Sequence, residues 1–186
     1  MFLSLSPKLS AGLLAVASAV LFSTAAHAVP EAQFQSAYVQ FTQAQSGDSA
    51  AIDKAAESFA ALLATEPGNP VLMAYAGAAL SMRARTTMLP WKKMSYSEDG
   101  MAQIDKALAM LKPEHNAVVQ NGTPGALEAR FVAASTFLAV PGFMNRSARG
   151  TKLLDDVLTS PLFVQAPEGF RNAVQQRAAQ LKTTAP

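Results

Sequence analysis

Few side chains in this sequence have the types and spacing that catalysis or metal binding requires. His115 is the only histidine beyond residue 28, and Glu114 precedes it in the segment KPEHNAVV. A metal site ordinarily needs several converging ligands, and the chain has no cysteine. We therefore interpret His115 as a solvated linker residue, and we expect no catalytic residue, no metal and no cofactor.

Two pairs of adjacent acidic residues, Glu98-Asp99 and Asp155-Asp156, are the other candidates for acid–base chemistry. Neighbouring residues on a helix point in different directions, so neither pair can present both carboxylates to one substrate. The Glu98-Asp99 pair is predicted instead to favour the positive N-terminal end of a helix. The motifs of nucleophilic hydrolases, zinc proteases and phosphate-binding loops are missing from the sequence. An enzyme is not expected, and a secreted hydrolase built around His115 is the least favoured alternative.

The basic side chains are the more informative feature. From residue 67 to 97, and again from 129 to 154, every charged residue is basic. If the two stretches lie on neighbouring layers, they form one positive, partly aromatic patch for an acidic peptide, a carboxylate or an anionic lipid headgroup. The alternative is that these side chains serve solubility. The candidate partner-binding residues are Arg83, Arg85, Trp91, Lys92, Lys93, Tyr96, Arg130, Arg146 and Arg149.

The composition is that of one folded domain. Of the 186 residues, 50% are hydrophobic and 15% are charged, which excludes disorder driven by high charge and low hydrophobicity. The formal net charge of +2 is small. The dense basic face that nucleic-acid binding requires is therefore not expected.

The N-terminus has the layout of a signal peptide. Lys8 precedes an apolar run from residue 11 to 22, and small residues end in the tripeptide AHA at 26–28. Residues 1–28 are predicted to be removed by cleavage after Ala28, and an uncleaved membrane anchor is the alternative. The mature chain, 29–186, then contains no second long apolar run. It is predicted to be a single domain in the periplasm or the secreted fraction, without an integral membrane span.

Apolar residues recur at helical spacing along most of the mature chain, and no segment shows sustained strand-like alternation. The predicted fold class is therefore all-α, with about seven helices. Residues 86–97 show no clear period and are predicted to be a long loop, and residues 112–125 are predicted to be a linker. The predicted helices begin at Glu31 and then cover 49–65, 71–85, 98–111, 126–140, 146–159 and 167–182, with Asp48 or Ser49 as the N-cap of the second.

Small and large residues recur at fixed spacings in the two helices that flank the Pro67-Gly68-Asn69-Pro70 break: Ala55, Phe59, Leu62 and Pro67 before it, and Met73, Ala76, Gly77 and Leu80 after it. This spacing resembles that of the tetratricopeptide repeat, in which paired helices close on small residues. The resemblance covers roughly residues 34–113, and it departs from the repeat where Met73 replaces an aromatic residue and Ala76 replaces leucine. The positions that carry it are Ala55, Phe59, Leu62, Pro67, Met73, Ala76, Gly77, Leu80, Ile104, Ala107 and Leu108.

The resemblance implies stacked antiparallel helix pairs in a short α-solenoid, whose concave face binds an extended peptide or a partner helix. The implied function is an exported, non-catalytic scaffold or adaptor for a protein or peptide, in an envelope or transporter-associated complex. Two alternatives stay open. The fold could be an ordinary helical bundle. The protein could also be a periplasmic binding protein for a small anionic or lipid ligand, held between the predicted long loop and the third helix pair.

Overall fold

A computed structural model describes residues 29–184, so the predicted signal peptide lies outside the described residues. Seven α-helices make up most of this range, and no strand occurs within it. The prediction of an all-α fold with about seven helices is confirmed. The helices are α1 (Glu31–Gln45), α2 (Ser49–Thr65), α3 (Pro70–Met82), α4 (Pro90–Ala109), α5 (Gly125–Phe137), α6 (Ser147–Leu158) and α7 (Glu168–Thr184).

Side chains in the short turns fix where α2 and α3 begin. The carboxylate of Asp48 accepts a hydrogen bond from the backbone N–H of Ala50 at 2.9 Å. The side chain of Asn69 accepts from the backbone of Val71 and Leu72, and Pro70 occupies the first turn, where no N–H is needed. These caps satisfy N–H groups that a helix leaves without a partner, and they confirm Asp48 as the N-cap.

The predicted long loop at residues 86–97 is wrong over most of its length. Helix α4 begins at Pro90, and it therefore contains Trp91 and the two lysines that follow it. Its first two turns are mostly exposed, and Ser97 is its first buried residue. Without a buried face these turns carry no apolar period, which is why the sequence pattern did not reveal them.

Because α4 begins earlier than predicted, the Glu98-Asp99 pair does not lie at the start of this helix. Both residues lie in the middle of the helix, and the carboxylate of Asp99 accepts a hydrogen bond from the hydroxyl of Ser95 at 2.9 Å. Their expected position at the N-terminal end was therefore wrong. The predicted linker is also compact, since it contains 3₁₀ turns at Pro113–Asn116 and Gln120–Gly122 and a β-bridge between Val118 and Pro124.

Consecutive helices pack in pairs, α1 with α2, α3 with α4 and α5 with α6. Helix α3 also contacts both α2 and α5, and nearly all of its residues are buried. Its centre is an aromatic cluster in which the rings of Phe59 and Tyr75 stack at 4.7 Å and the ring of Phe41 meets Tyr75 edge-on at 4.9 Å. A smaller second core joins α5, α6 and α7 around Leu154 and Val174.

Most of the residues that carry the repeat resemblance lie in this core. Leu80 and Leu108 are half-buried, and Pro67 is exposed in the turn between α2 and α3. The buried members are Ala55, Phe59, Leu62, Met73, Ala76, Gly77, Ile104 and Ala107.

Helices α3 and α4 come into backbone contact at two glycines. A Cβ atom placed on Gly77 would lie 2.6 Å from the carbonyl oxygen of Gly100, and one placed on Gly100 would lie 2.5 Å from the carbonyl oxygen of Gly77. Real Cβ atoms do not approach backbone oxygens this closely. Any side chain at either position would therefore push the two helices apart.

We expect Gly77→Ala to lower the free energy of unfolding by about 1–3 kcal/mol, because overpacking outweighs the gain of up to about 1 kcal/mol in helix propensity. The matched control is Gly169→Ala in α7, where an added Cβ meets nothing within 4 Å. This variant should be neutral or slightly stabilised. Urea denaturation of both variants gives the comparison, and equal changes would contradict the close approach.

Candidate ligand-binding groove

An open groove of about 1060 Å³ lies among the helices of the fold. Helices α1, α5 and α7 line it, together with the C-terminal end of α3 and the start of α4. Two 3₁₀ turns, at Arg83–Arg85 and Gly142–Met144, complete the walls. The volume is slightly above the usual range for small-molecule sites, which is roughly 300–1,000 Å³. The groove is therefore large enough for a ligand with a long apolar part.

Aromatic and methionine side chains form much of the groove surface. Tyr38 and Phe41 contribute the face that adjoins the aromatic cluster of the core, where both rings contact Tyr75. Methionine side chains adapt to irregular apolar ligands because they are unbranched and polarizable. The other large apolar residues of the lining are Met82, Met94, Phe131, Val140, Phe143 and Met144.

Every charged residue that lines the groove is a cation. These residues are Arg85, Lys93 and Arg177, and no acidic side chain of the described range lines it with them. None of the three forms an ion pair with another residue of the described range. A concave surface with one sign of charge focuses a positive potential on whatever enters it.

Two of these cations are anchored by backbone carbonyl groups. Arg85 donates to the carbonyl oxygen of Ala44 at the end of α1, at 2.8 Å, and Arg177 donates to that of Ser135 at 3.3 Å. The Nε atom of Arg177 is buried and has no hydrogen-bond partner among the described residues. Burial lowers the pKa of Arg177 from its usual value. A guanidinium nevertheless stays charged in proteins, so an anion in the groove would compensate this partly desolvated cation.

Apart from Arg85 and Lys93, the partner-binding residues predicted from the sequence do not line the groove. Trp91 is 67% exposed and Lys92 is also exposed, both at the start of α4. Arg83 faces α2 instead, where it donates to Asp53 at 2.7 Å and to Glu57 at 3.3 Å. Its guanidinium also lies 6.0 Å from the ring centroid of Tyr96.

In the second basic stretch, two arginines share one carboxylate. Arg146 donates to Asp105 at 2.9 Å, Arg149 donates to the other oxygen of the same carboxylate, and both guanidinium groups lie 5.3 Å from the ring centroid of Phe137. Arg130 is half-buried and is not part of the groove lining. The predicted basic residues therefore do not form one continuous patch: some line the groove, some lie near the start of α4 outside it, and some lie in the second basic stretch. Only Arg85 and Lys93 of this set line the groove.

Arg177 is not among the partner-binding residues predicted from the sequence, because it lies outside the two stretches in which every charged residue is basic. Its side chain nevertheless brings the third cation to the groove. A signal was present in the sequence, since α7 carries no acidic residue after Glu168. A helix whose polar face carries arginine and glutamine, with its one acidic residue at the first position, can face solvent or can contribute a cation to an anion-binding site.

His115 has a structural contact that explains its position. Its Nδ1 accepts a hydrogen bond from the backbone N–H of Lys112 at 2.9 Å, and this closes the 3₁₀ turn Pro113–Asn116. Across residues 29–184, no group of three or more histidine, cysteine or acidic side chains is placed to hold a metal ion. In the same range, no helix is both long and apolar enough to cross a bilayer.

A buried carboxyl group lies behind the aromatic face of the groove. Glu128 is 4% exposed, and the hydroxyl of Tyr75 donates a hydrogen bond to it. Burial raises the pKa of Glu128, against hydrogen bonds from Tyr75, Thr123 and Asn121 that lower it. Burial and the charge of Glu128 raise the pKa of Tyr38, which lines the groove. The electrostatics of the groove are thus coupled to Glu128.

Comparison of the chain with protein-family models, with curated proteins and with solved structures gave no match. The inference of function therefore rests on the groove itself.

The Glu128→Gln variant should become more stable relative to the wild type as pH rises. A glutamate whose folded-state pKa is raised contributes stability below its unfolded pKa, and that contribution is lost as pH rises through the folded pKa. Because glutamine carries no charge, the difference in unfolding free energy should grow upward from about pH 4.3, by at most about 1.4 kcal/mol per pH unit.

Urea denaturation of both proteins between about pH 4 and pH 8 measures this difference. The matched control is Glu98→Gln, at an exposed position of α4. Parallel stability curves for the wild type and Glu128→Gln would contradict the raised pKa of Glu128.

Proposed function

We propose that this protein is an exported, non-catalytic binding protein for an amphipathic anion, a ligand with a long apolar part and a carboxylate or phosphate head. The observation that carries the proposal is a largely apolar groove lined by three cations that form no ion pair within residues 29–184, with no acidic side chain of that range in the lining. This is the second of the functions considered from the sequence, a binding protein for a small anionic or lipid ligand. The start of α4 and helix α5 both contribute to the groove.

The two parts of such a ligand would find different partners in the groove. Arg85 ends the 3₁₀ turn Arg83–Arg85 and Lys93 lies in the first turn of α4, and both line the groove, so a charged head group would have two cations as partners. Charge-assisted hydrogen bonds of this kind are roughly twice as strong as neutral ones. The apolar part would gain about 25 cal/mol for each Å² that it buries against methionine and aromatic side chains.

Export is supported by the signal-peptide layout of residues 1–28, and the absence of recognisable catalytic motifs supports a binding role. A carrier of this kind needs no chemical step. It needs an apolar compartment that shields a ligand from water and a charge that selects the correct head group.

We expect Arg85→Gln and Lys93→Gln each to weaken the binding of palmitate or of lysophosphatidic acid by about 5- to 20-fold, since each removes one partly exposed charge contact of about 1–2 kcal/mol. Hexadecanol, which has the same apolar chain as palmitate without the charge, should bind equally to all variants. Isothermal titration or displacement of a fluorescent fatty acid gives the affinities, and the two anionic probes separate carboxylate from phosphate preference.

The matched control is Arg83→Gln. This arginine lies two residues from Arg85 but is paired with Asp53 and Glu57 on the side of α2. Binding of the anionic probes should be unchanged in this variant. Equal weakening in Arg83→Gln and Arg85→Gln, or no binding of any probe by the wild type, would contradict the proposal.

A second candidate function, the protein or peptide adaptor that the repeat resemblance implies, is favoured by exposed apolar residues around the α3–α4 connection and beside the groove. Met88 is 87% exposed, Trp91 67% and Phe143 68%. Helices α1, α3, α5 and α7 contribute to the groove, and so does the start of α4. A concave face shared by several helices is the kind of surface on which helical-repeat proteins bind an extended peptide.

Photo-crosslinking from position 91 tests the adaptor. With the mature protein in intact envelopes, we expect one discrete protein adduct from a crosslinker at Trp91 and none from a crosslinker at Lys54, an exposed residue of α2. Equal labelling from both positions, or no protein adduct from position 91, would contradict an adaptor surface at this end of α4.

A further inference from the structure

The first described residue, Val29, is held in place as firmly as a core residue. Its side chain is 5% exposed and belongs to the main hydrophobic core. Its backbone N–H donates to Oε1 of Glu66, and its carbonyl oxygen accepts a hydrogen bond from the side chain of Gln120 at 3.4 Å. The chain is therefore fixed on both sides of the Val29 Cα before α1 begins.

Glu66 lies at the junction where α2 ends and α3 begins. It is the C-cap residue of α2, and its second oxygen, Oε2, accepts a hydrogen bond from the side chain of Asn69 at 2.8 Å. Asn69 in turn caps α3. The carboxylate is thus oriented by the turn that joins the two helices, and its other oxygen is presented to the nitrogen of Val29.

The sequence predicts that the bond before Val29 is the one cut on export. Hydrolysis by a signal peptidase adds water across this bond, so the carbonyl carbon of Ala28 becomes a carboxylate and the nitrogen of Val29 becomes an amine that takes up a proton. The nitrogen that faces Glu66 then changes from a neutral group with one N–H to an ammonium group with one positive charge. Hydrogen bonds between charged groups are roughly twice as strong as neutral ones.

We propose that Glu66 is the receptor for the α-ammonium group that signal-peptide cleavage creates at Val29, and that the resulting ion pair locks α1 onto the α2–α3 turn. The inference rests on the export part of the proposed function and is independent of what the groove binds. Cleavage in this arrangement both releases the chain and completes the fold.

Only one other acidic side chain has a described contact near this end of the chain. Glu31 accepts hydrogen bonds from the side chain of Gln35 at 2.6 Å and from the backbone N–H of Asn121 at 3.4 Å. Its contacts are to neutral donors on α1 and on the turn Gln120–Gly122. Glu31 therefore provides a matched control for the general effect of a negative charge near the N-terminus.

The experiment compares two forms of the protein, one that begins at Val29 and one that keeps Ala28 as an extra residue. Both are released from a removable N-terminal fusion, and each is made with and without Glu66→Gln. Thermal unfolding is measured for all four. We expect Glu66→Gln to lower the midpoint of the Val29 form by about 2 °C or more beyond its effect on the extended form, because the extension displaces the charged amine from Glu66.

The control substitution, Glu31→Gln, should lower the midpoints of the two forms equally. Equal effects of Glu66→Gln on both forms would overturn the proposal, because Glu66 would then serve only the backbone N–H. The export premise is read separately, from the intact mass of the full-length chain after expression in a bacterial host and recovery of the periplasmic fraction. A mass that begins at Val29 supports the proposal, and a different N-terminus overturns it for the exported protein whatever the stability data show.

Discussion

The backbone contact between Gly77 and Gly100 is the constraint on which the rest of the structure depends. Because α3 and α4 touch there without side chains between them, α3 can lie at the centre of the array with nearly all of its residues buried. Tyr75, two residues before Gly77, then becomes the centre of the aromatic cluster. The groove follows from the same arrangement, since its walls are helices placed around α3.

Three arginines outside the groove are paired with carboxylates, whereas the cations that line the groove form no ion pair within the described range. Arg83, Arg146 and Arg149 all find carboxylates on neighbouring helices, and these exposed or half-exposed pairs each contribute little to stability, roughly 0–1 kcal/mol. Arg85 and Lys93 have no such partner in the described range. In the groove, where much of the lining is apolar, these charges can contact a ligand that is partly desolvated.

How far the sequence could predict this structure depends on how each element is stabilised. Helix α2 was predicted to the residue because it has both a capping aspartate and a regular apolar face. The start of α4 was missed because its first turns are exposed and its helical signal is a proline at the first position. The spacing of apolar residues predicts helix boundaries where one side of the helix is buried, and it does not where the helix is exposed on all sides.

The groove was harder to predict than the helices because it depends on which way each arginine turns. Arg83 and Arg85 are two residues apart in one basic stretch, yet one faces Asp53 on α2 and the other reaches the end of α1. Nothing in the spacing of the residues distinguishes them. The third cation, Arg177, comes from a distant helix, and only the tertiary fold brings it to the same surface.

Glu128 is a buried acidic group behind the aromatic face of the groove, where its charge would oppose a bound anion. It lies behind Tyr75, whose ring adjoins Tyr38 and Phe41 of the lining. In a low-dielectric interior an ionised carboxylate at that position would act on the groove with little screening. Burial raises the pKa of Glu128, so its neutral form persists to a higher pH than an exposed glutamate allows. The burial that raises the pKa of Glu128 therefore widens the pH range over which this carboxyl group carries no charge to oppose an anion in the groove.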